Sequence, residues 1–471
     1  MMLGSAVAFV IVVVSLGGFA WVGFTARGAG RDVEDYVVAR NSQDRRRLGL
    51  SFLASGMGAW ILFAPPEVGA GVGLIGVSGY ALGAAGPFVA FALLGRRIRA
   101  VVPGGRSLTE FVKARFGTAF FMYVGVISIG YMLFFVTAEL TAIGGVTEIV
   151  SGLDGRIAIV GVAAVTLAYT AYGGLRASLR TDQWQAWMIV ALVGASVAVI
   201  VGDLPSAGRA WSESGLLGVD RLGLEVAATL IIAVVAANLF HQGYWQRVWA
   251  ARDDRALYGG AAFGALATIP VVALVGVLGI LAAGAGMGLD ATPVPFFALL
   301  ATLPTWVLGG VLVLGLSLVT SSVDTLENAL ASVVITERRR MSIAGARAVT
   351  VVLMIPAVFI ALEGYSVLRL FLIADLLCAA TVVPVLSGLW ARTTGPAAMV
   401  GAVAGLVGAI APGWITGGSL SAGIEAATFP GAIPTLAPFL WSLLSSAALT
   451  FAIARLSDRR FDLNRMTNGS P

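Results

Sequence analysis

Residues 48–73 read LGLSFLASGMGAWILFAPPEVGAGVG. The run is apolar and exceeds the roughly 20 residues that a bilayer-spanning helix needs. Yet Gly56 and Gly58 stand in its middle, and Pro65-Pro66 followed by Glu67 interrupts what would be its outer half. Proline removes a backbone donor and clashes with the preceding turn. The residues leave two readings: a proline kink, or a helix broken at membrane depth whose freed carbonyls line a cavity or bind something. A second weak point occurs in LIIAVVAANLFHQGYWQRVW at 230–249, where Asn238, His241, Gln242 and Gly243 turn the span polar before it ends.

The surrounding composition makes this a membrane question. Of 471 residues 58% are hydrophobic and 12% charged, with a mean hydropathy of +0.92. Soluble domains are about half apolar and about a quarter charged. That excludes a soluble enzyme, a disordered chain and a nucleic-acid binder, despite a pI near 9.6. The long apolar runs exclude an outer-membrane barrel, whose strands alternate with period two. Sixty glycines suit closely packed membrane helices. The single cysteine, Cys378, and the single histidine, His241, leave no disulfide, no thiol metal site and only a poor basis for a catalytic triad. The run Val7–Val22 follows an uncharged MMLGSA and ends in FTARGAG without a small-residue cleavage site. It reads as a retained helix with its N-terminus outside.

Thirteen spans are expected, at 4–24, 48–72, 75–95, 118–148, 157–172, 183–203, 224–243, 257–284, 304–336, 344–363, 366–388, 395–413 and 434–454. Basic residues mark cytoplasmic loops. With the N-terminus out, all but four of the 30 Lys and Arg residues fall on the cytoplasmic side; the four are Arg156, Arg209, Arg221 and Arg369. This bias supports thirteen spans, N-terminus out and C-terminus in. The interrupted spans two and seven are five apart, and a repeat of odd period is inverted in the membrane. Two five-helix halves, each opening with a broken helix, is the layout of an inverted-repeat transporter.

Polar groups in a bilayer are costly and therefore functional candidates. Span nine contains VLGLSLVTSSVDTLENALASVV, in which Ser321 and Ser322 follow Leu318 by three and four residues. Their hydroxyls and the Leu318 carbonyl can converge on one patch that suits a hard cation; equally, they can simply bond back to their own helix. Asp182, in YGGLRASLRTDQWQ, is either a helix N-cap or an ion-site residue. Asp324 and Glu327 either pair with nearby arginines as solvated charges or line an ion exit. Glu139 and Asp375 are either hydrogen-bonded between helices or turned to a substrate. His241 is read as a helix-end hydrogen bonder or a proton carrier.

Five stretches together resemble the sodium/solute symporters: DYVVARNS (35–42), LASGMGAWILFAPP (53–66), AYTAYGGLRASLRTDQWQ (168–185), YWQRVWAARD (244–253) and SLVTSSVDTLENAL (317–330). The resemblance covers nearly the whole chain. It implies an all-α, LeuT-like five-plus-five inverted-repeat fold forming a single transporter domain: an extra N-terminal helix (4–24), repeats at 48–203 and 224–388, and two C-terminal helices (395–454). It further implies sodium bound by the carbonyls of Ala54, Met57 and Leu318 and the hydroxyls of Ser321 and Ser322, with Asp182 just below. Proline members have an aspartate where this chain has Gly56. Sugar members have a glutamine at the position of Ile61 and an aromatic gate at that of Ala237. The expected cavity positions Gly56, Trp60, Pro65, Glu67, Glu139, Ala237, Asn238 and Asp375 suggest a small polar or cationic solute.

The expectation is a multi-pass symporter of the inner cell membrane. Its partners would be sodium, a small solute and the lipid bilayer, and it would not be an enzyme. The rivals are a proton-coupled or uncoupled carrier on the same fold and, more remotely, a polytopic membrane enzyme.

Overall fold

Apolar runs that must satisfy their own backbone in lipid become helices, and the computed structural model of the chain is built from them. It describes residues 2–25, 38–204, 207–287, 294–301, 303–337, 342–431 and 434–468. Arg27, Arg31, Arg338, Arg339, Arg340 and the start of DYVVARNS lie outside these described residues.

In chain order the helices are α1 (Ser5–Phe24), α2 (Arg45–Gly56), α3 (Ala64–Val72), α4 (Leu74–Val101), α5 (Leu108–Phe116), α6 (Thr118–Ser151) and α7 (Gly155–Asp203). There follow α8 (Ala207–Glu213), α9 (Arg221–Asn238), α10 (Gln242–Ala250), α11 (Asp254–Gly284), α12 (Pro295–Leu300) and α13 (Thr305–Glu337). The chain continues through α14 (Ile343–Ala361), α15 (Val367–Leu386), α16 (Gly395–Gly417), α17 (Leu420–Ala427), α18 (Leu436–Leu456) and α19 (Asn464–Asn468). Among the described residues ten helices are long and apolar enough to cross a membrane. The count is eleven when the bent pair Arg45–Gly56 and Ala59–Val72 is one span. Shorter helices such as α5, α8, α12 and α17 occupy stretches that the sequence reading left as loops.

The span at 48–72 is broken, but not at the prolines. α2 stops at Gly56; Met57 and Gly58 are extended, with φ −96°, ψ 96° and φ −98°, ψ 178°. A short 3-10 turn, Ala59–Leu62, then leads into α3, and the two halves meet at 58°. Pro65 and Pro66 sit in the first turn of α3, where missing N–H groups would be orphaned anyway. The prolines therefore start a helix, which corrects their reading as its breakers. The second weak point is a real interruption as well: α9 ends at Asn238 and α10 begins at Gln242.

α7 runs for 49 residues and carries two expected spans, joined at Gly174 with φ 56° and ψ −149°. Glycine alone enters such conformations freely. The turn thus lies at Gly174, and Asp182 stands inside the following helix, so its reading as an N-cap is wrong. The centre of the bundle is α13, whose apolar window is 83% buried, followed by the α15 span at 78%. α1 and α18, at 28% each, lie at the periphery. α3 crosses α11 backbone to backbone. A β-carbon on Gly69 would strike the Gly276 carbonyl oxygen, and one on Gly279 would strike that of Pro66.

Candidate functional site

Four serine and threonine hydroxyls on the middle of α13 show what that helix face does. Ser317 and Thr320 donate back to the carbonyls of Val313 and Leu316 at 2.8 and 2.7 Å. Ser321 instead donates to Asp182 Oδ1 at 2.9 Å. The Ser322 hydroxyl is buried and has no partner among the described residues. The two serines singled out from the sequence are therefore the two that do not satisfy their own helix. Beside them, Thr325 donates to Ser55 Oγ at 3.2 Å and ties α13 to the end of α2. Ala54 lies in the last turn of α2, where its carbonyl accepts from Met57 N–H at 3.3 Å, and Leu318 is buried on α13.

Asp182 gathers this region. Its Oδ2 accepts from Ser51 at 2.6 Å, from Ser55 at 3.3 Å and from Arg247 at 2.7 Å. Both side chains of the Asp182–Arg247 pair are fully buried. Arg247 also donates to Ser51 Oγ at 2.7 Å, to the Gly243 carbonyl at 3.0 Å and to Thr325 Oγ1 at 3.0 Å. One guanidinium thus joins α2, α7, α10 and α13. Breaking such a pair by removing one partner strands a buried charge. The sequence reading had Arg247 in a cytoplasmic loop, and the structure corrects it. No local warning stood in the sequence: Gln242, Gln246 and Arg247 share one face of α10 and Tyr244, Trp245, Val248 and Trp249 the other, the pattern of a helix with one wet face.

Asp324 and Glu327 are fully buried, not solvated, and neither makes an ion pair among the described residues. Asp324 accepts from Tyr169 (2.6 Å), Ser178 (2.7 Å) and Thr181 (3.0 Å). Glu327 accepts from Thr166 (2.8 Å) and Thr170 (2.7 Å). The reading of these acids as partners of arginine is therefore wrong.

A cavity opens against the break between α2 and α3. Of the expected positions it is lined by Gly56, Trp60, Asn238 and Asp375. The sequence reading missed its aromatic wall: Tyr80, Phe88, Tyr131, Phe135, Tyr244 and Phe371. Trp60 stacks on Tyr80 at 5.4 Å, and Phe135 meets Phe371 edge-on at 4.8 Å. Gly56 is small for a reason, because a β-carbon there would lie 2.5 Å from the Tyr244 hydroxyl. Asp375 is buried without a hydrogen-bond or ion-pair partner among the described residues, and no basic side chain lines the cavity. Pro65, Glu67, Glu139 and Ala237 do not line it. Pro65 and Glu67 belong to the first turn of α3 and Ala237 is buried in the last turn of α9. Glu139 accepts from the Ala59 N–H at 2.7 Å. His241 stacks on Tyr244 at 4.5 Å, and both its ring nitrogens lack partners among the described residues, so it is no helix-end hydrogen bonder.

Residues 36–213 match the model of the Sodium:solute symporter family. A spermidine transporter, DUR31, of Candida albicans is 31% identical over 366 residues, covering 76% of this chain and 70% of that protein. The chain belongs to the sodium:solute symporter family. A sodium/glucose cotransporter of Vibrio parahaemolyticus is 24% identical over 296 residues, covering 58% of this symporter and 53% of its own length. Among solved structures, a substrate-bound, outward-open Na+-coupled sialic acid symporter superposes with a TM-score of 0.76 at 13% identity, over 96% of this chain and 98% of that one. The closed, bromovinylhydantoin-bound form of Mhp1, a nucleobase-cation-symport-1 transporter, gives 0.57 at 14% identity, over 92% and 98%. These likenesses establish the LeuT-like transporter fold. The symporter is thus a multi-pass membrane transporter and not an enzyme.

Proposed function

We propose that this protein is a sodium-coupled symporter that carries a small organic cation of the aliphatic amine class into the cell by alternating access. In this reading thirteen spans place the N-terminus outside and the C-terminus inside the inner cell membrane. The repeats at 48–203 and 224–388 surround the site, with the 4–24 helix and the 395–454 pair outside them.

The observation that carries the reading is the pair of hydroxyls on α13. Ser321 spends its hydrogen on Asp182, which leaves its lone pairs for a cation, and Ser322 spends nothing. With the carbonyls of Ala54, Met57 and Leu318 they form an all-oxygen set of the kind hard cations take. Asp182 orients Ser321 from behind while Arg247 balances its charge. Sodium stabilises only the state it binds better, and sodium and solute favour each other by linkage. The membrane potential adds about 2.3 kcal/mol per 100 mV for each charge moved.

The solute class follows from the cavity. Asp375 is its one acid, unpaired, and the rest of the wall is mostly aromatic. Ammonium groups bind over aromatic faces and beside a desolvated carboxylate. The spermidine-transporting relative supports the same class. A thermal-shift screen of purified protein against amines, sugars and zwitterions, each in sodium and in choline buffer, tests both halves. An amine should stabilise only with sodium, by about 2.7 kcal/mol at a hundred times its Kd. A sugar hit with no amine hit would remove the solute class. Stabilisation independent of sodium would remove the coupling and favour the proton-coupled reading, to which Asp324 and Glu327, buried and without an ion pair among the described residues, are suited.

A further inference from the structure

Glu139 belongs to neither the hydroxyl pair of α13 nor the cavity wall, and its surroundings are incomplete. The side chain projects from the middle of α6 and is fully buried. One oxygen, Oε2, accepts from the Ala59 N–H at 2.7 Å. The other, Oε1, has no partner among the described residues. The carboxylate presses on Gly58 so closely that a β-carbon there would collide with it. No basic side chain pairs with it among the described residues. What faces it instead is the start of a 3-10 turn only four residues long. A helix terminus offers about half a charge, and so short a segment offers less. A buried carboxylate without a counter-charge is costly.

We propose that Glu139 Oε1 holds a second sodium ion at the break between α2 and α3, apart from the Ser321–Ser322 site. The extended residues Met57 and Gly58 join α2 to the 3-10 turn, and Gly58 lies against this carboxylate; the Gly58 carbonyl accepts from the Ile61 N–H at 3.3 Å and keeps a second lone pair. One charged oxygen with neutral carbonyl oxygens is chemistry for a monovalent hard cation. Glycine at 58 keeps that approach open. Cavity-lining Met57 and Trp60 flank the spot, so the ion would sense whether the cavity is filled.

The test is equilibrium binding of 22Na+ to the purified full-length protein in nanodiscs, with no solute present. Wild type should bind two ions, Glu139→Gln one, Ser321→Ala/Ser322→Ala one, and the combined variant none. If the double serine variant binds one ion while Glu139→Gln still binds two, the second site is overturned and the first stands. If the serine variant loses nothing, the first site falls independently of Glu139. Should Glu139→Gln fail to give a monodisperse protein, Glu139→Asp decides. Drawing the carboxylate back by one methylene should keep two ions but raise one midpoint several-fold, and an unchanged titration overturns the proposal. An E139Q effect confined to the affinity for an added amine would make the residue a solute contact and overturn the sodium site, as would a water-filled site that binds no 22Na+.

Discussion

The two helix interruptions look alike in the sequence and differ in how their freed backbone is used. At the second, side chains plug it. Trp245 donates its indole N–H to the Leu239 carbonyl at 2.7 Å, and Gln242 donates to that of Phe240 at 3.2 Å. The Gln242 amide oxygen accepts from the Leu108 N–H at 2.9 Å, and Asn238 donates to Val234 at 2.8 Å. At the first, between α2 and α3, the neighbours are a carboxylate with one idle oxygen, an idle serine hydroxyl and a buried ion pair. An interruption whose freed carbonyls are taken up by side chains, as those of Leu239 and Phe240 are beside the unpartnered His241 ring, can serve as a rigid wall. One that keeps unspent oxygen atoms is ready for cations.

That contrast can be broken by substitution. The largest effect is expected from Asp182→Ala, which leaves Arg247 buried and unpaired. A stability loss of about 3–5 kcal/mol should appear as a steep fall in Tm, and a small fall would mean Arg247 escapes to water. Next comes Ser322→Ala, which removes a hydroxyl with no bonding partner among the described residues. Its Tm in sodium-free buffer should be unchanged. Sodium activation of uptake should weaken roughly tenfold, the equivalent of about 1.4 kcal/mol, and an unchanged sodium dependence would move the ion elsewhere. At the plugged interruption, Trp245→Phe strands the Leu239 carbonyl. It should cost about 1–3 kcal/mol of stability while leaving the sodium dependence as it was. The smallest change is Asn238→Ala, about 1 kcal/mol for one hydrogen bond, read in the Tm and in the solute midpoint. A shifted sodium midpoint in either of these last two variants would erase the distinction between the interruptions.

Much of the fold was legible because glycine, proline and polar residues inside apolar runs are costly and therefore conspicuous. Gly56, Gly58 and the Asn238–Gly243 stretch marked both interruptions. The prolines misled, since Pro65 and Pro66 are hostile inside a helix but welcome at its start, and the sequence does not number the turns. Asp182 was conspicuous, yet its partner was not. Arg247 resembles every other arginine near a span end until Ser51, Asp182 and Thr325 are seen to gather round its guanidinium. The cavity wall was the least legible part. Tyr80, Phe88, Tyr131 and Phe371 differ in no local way from aromatic residues that face lipid, and only their convergence on Asp375 gives them a role.

The glycine crossing of α3 and α11 has a mechanical side. With Gly69 against Gly276 and Gly279 against Pro66, backbone rests on backbone and no flexible side chain serves as a bearing. Neither helix can slide along the other without the two lifting apart, so they turn as one lever. The pivot falls at Met57 and Gly58; beyond it α2 meets α11 through side chains, Leu48 at Gly260 and Phe52 at Gly264, and is latched to α7 through Ser51 and Ser55. Paired spin labels on α3 and α11 should keep a single separation throughout the transport cycle, while a pair across the pivot should report two.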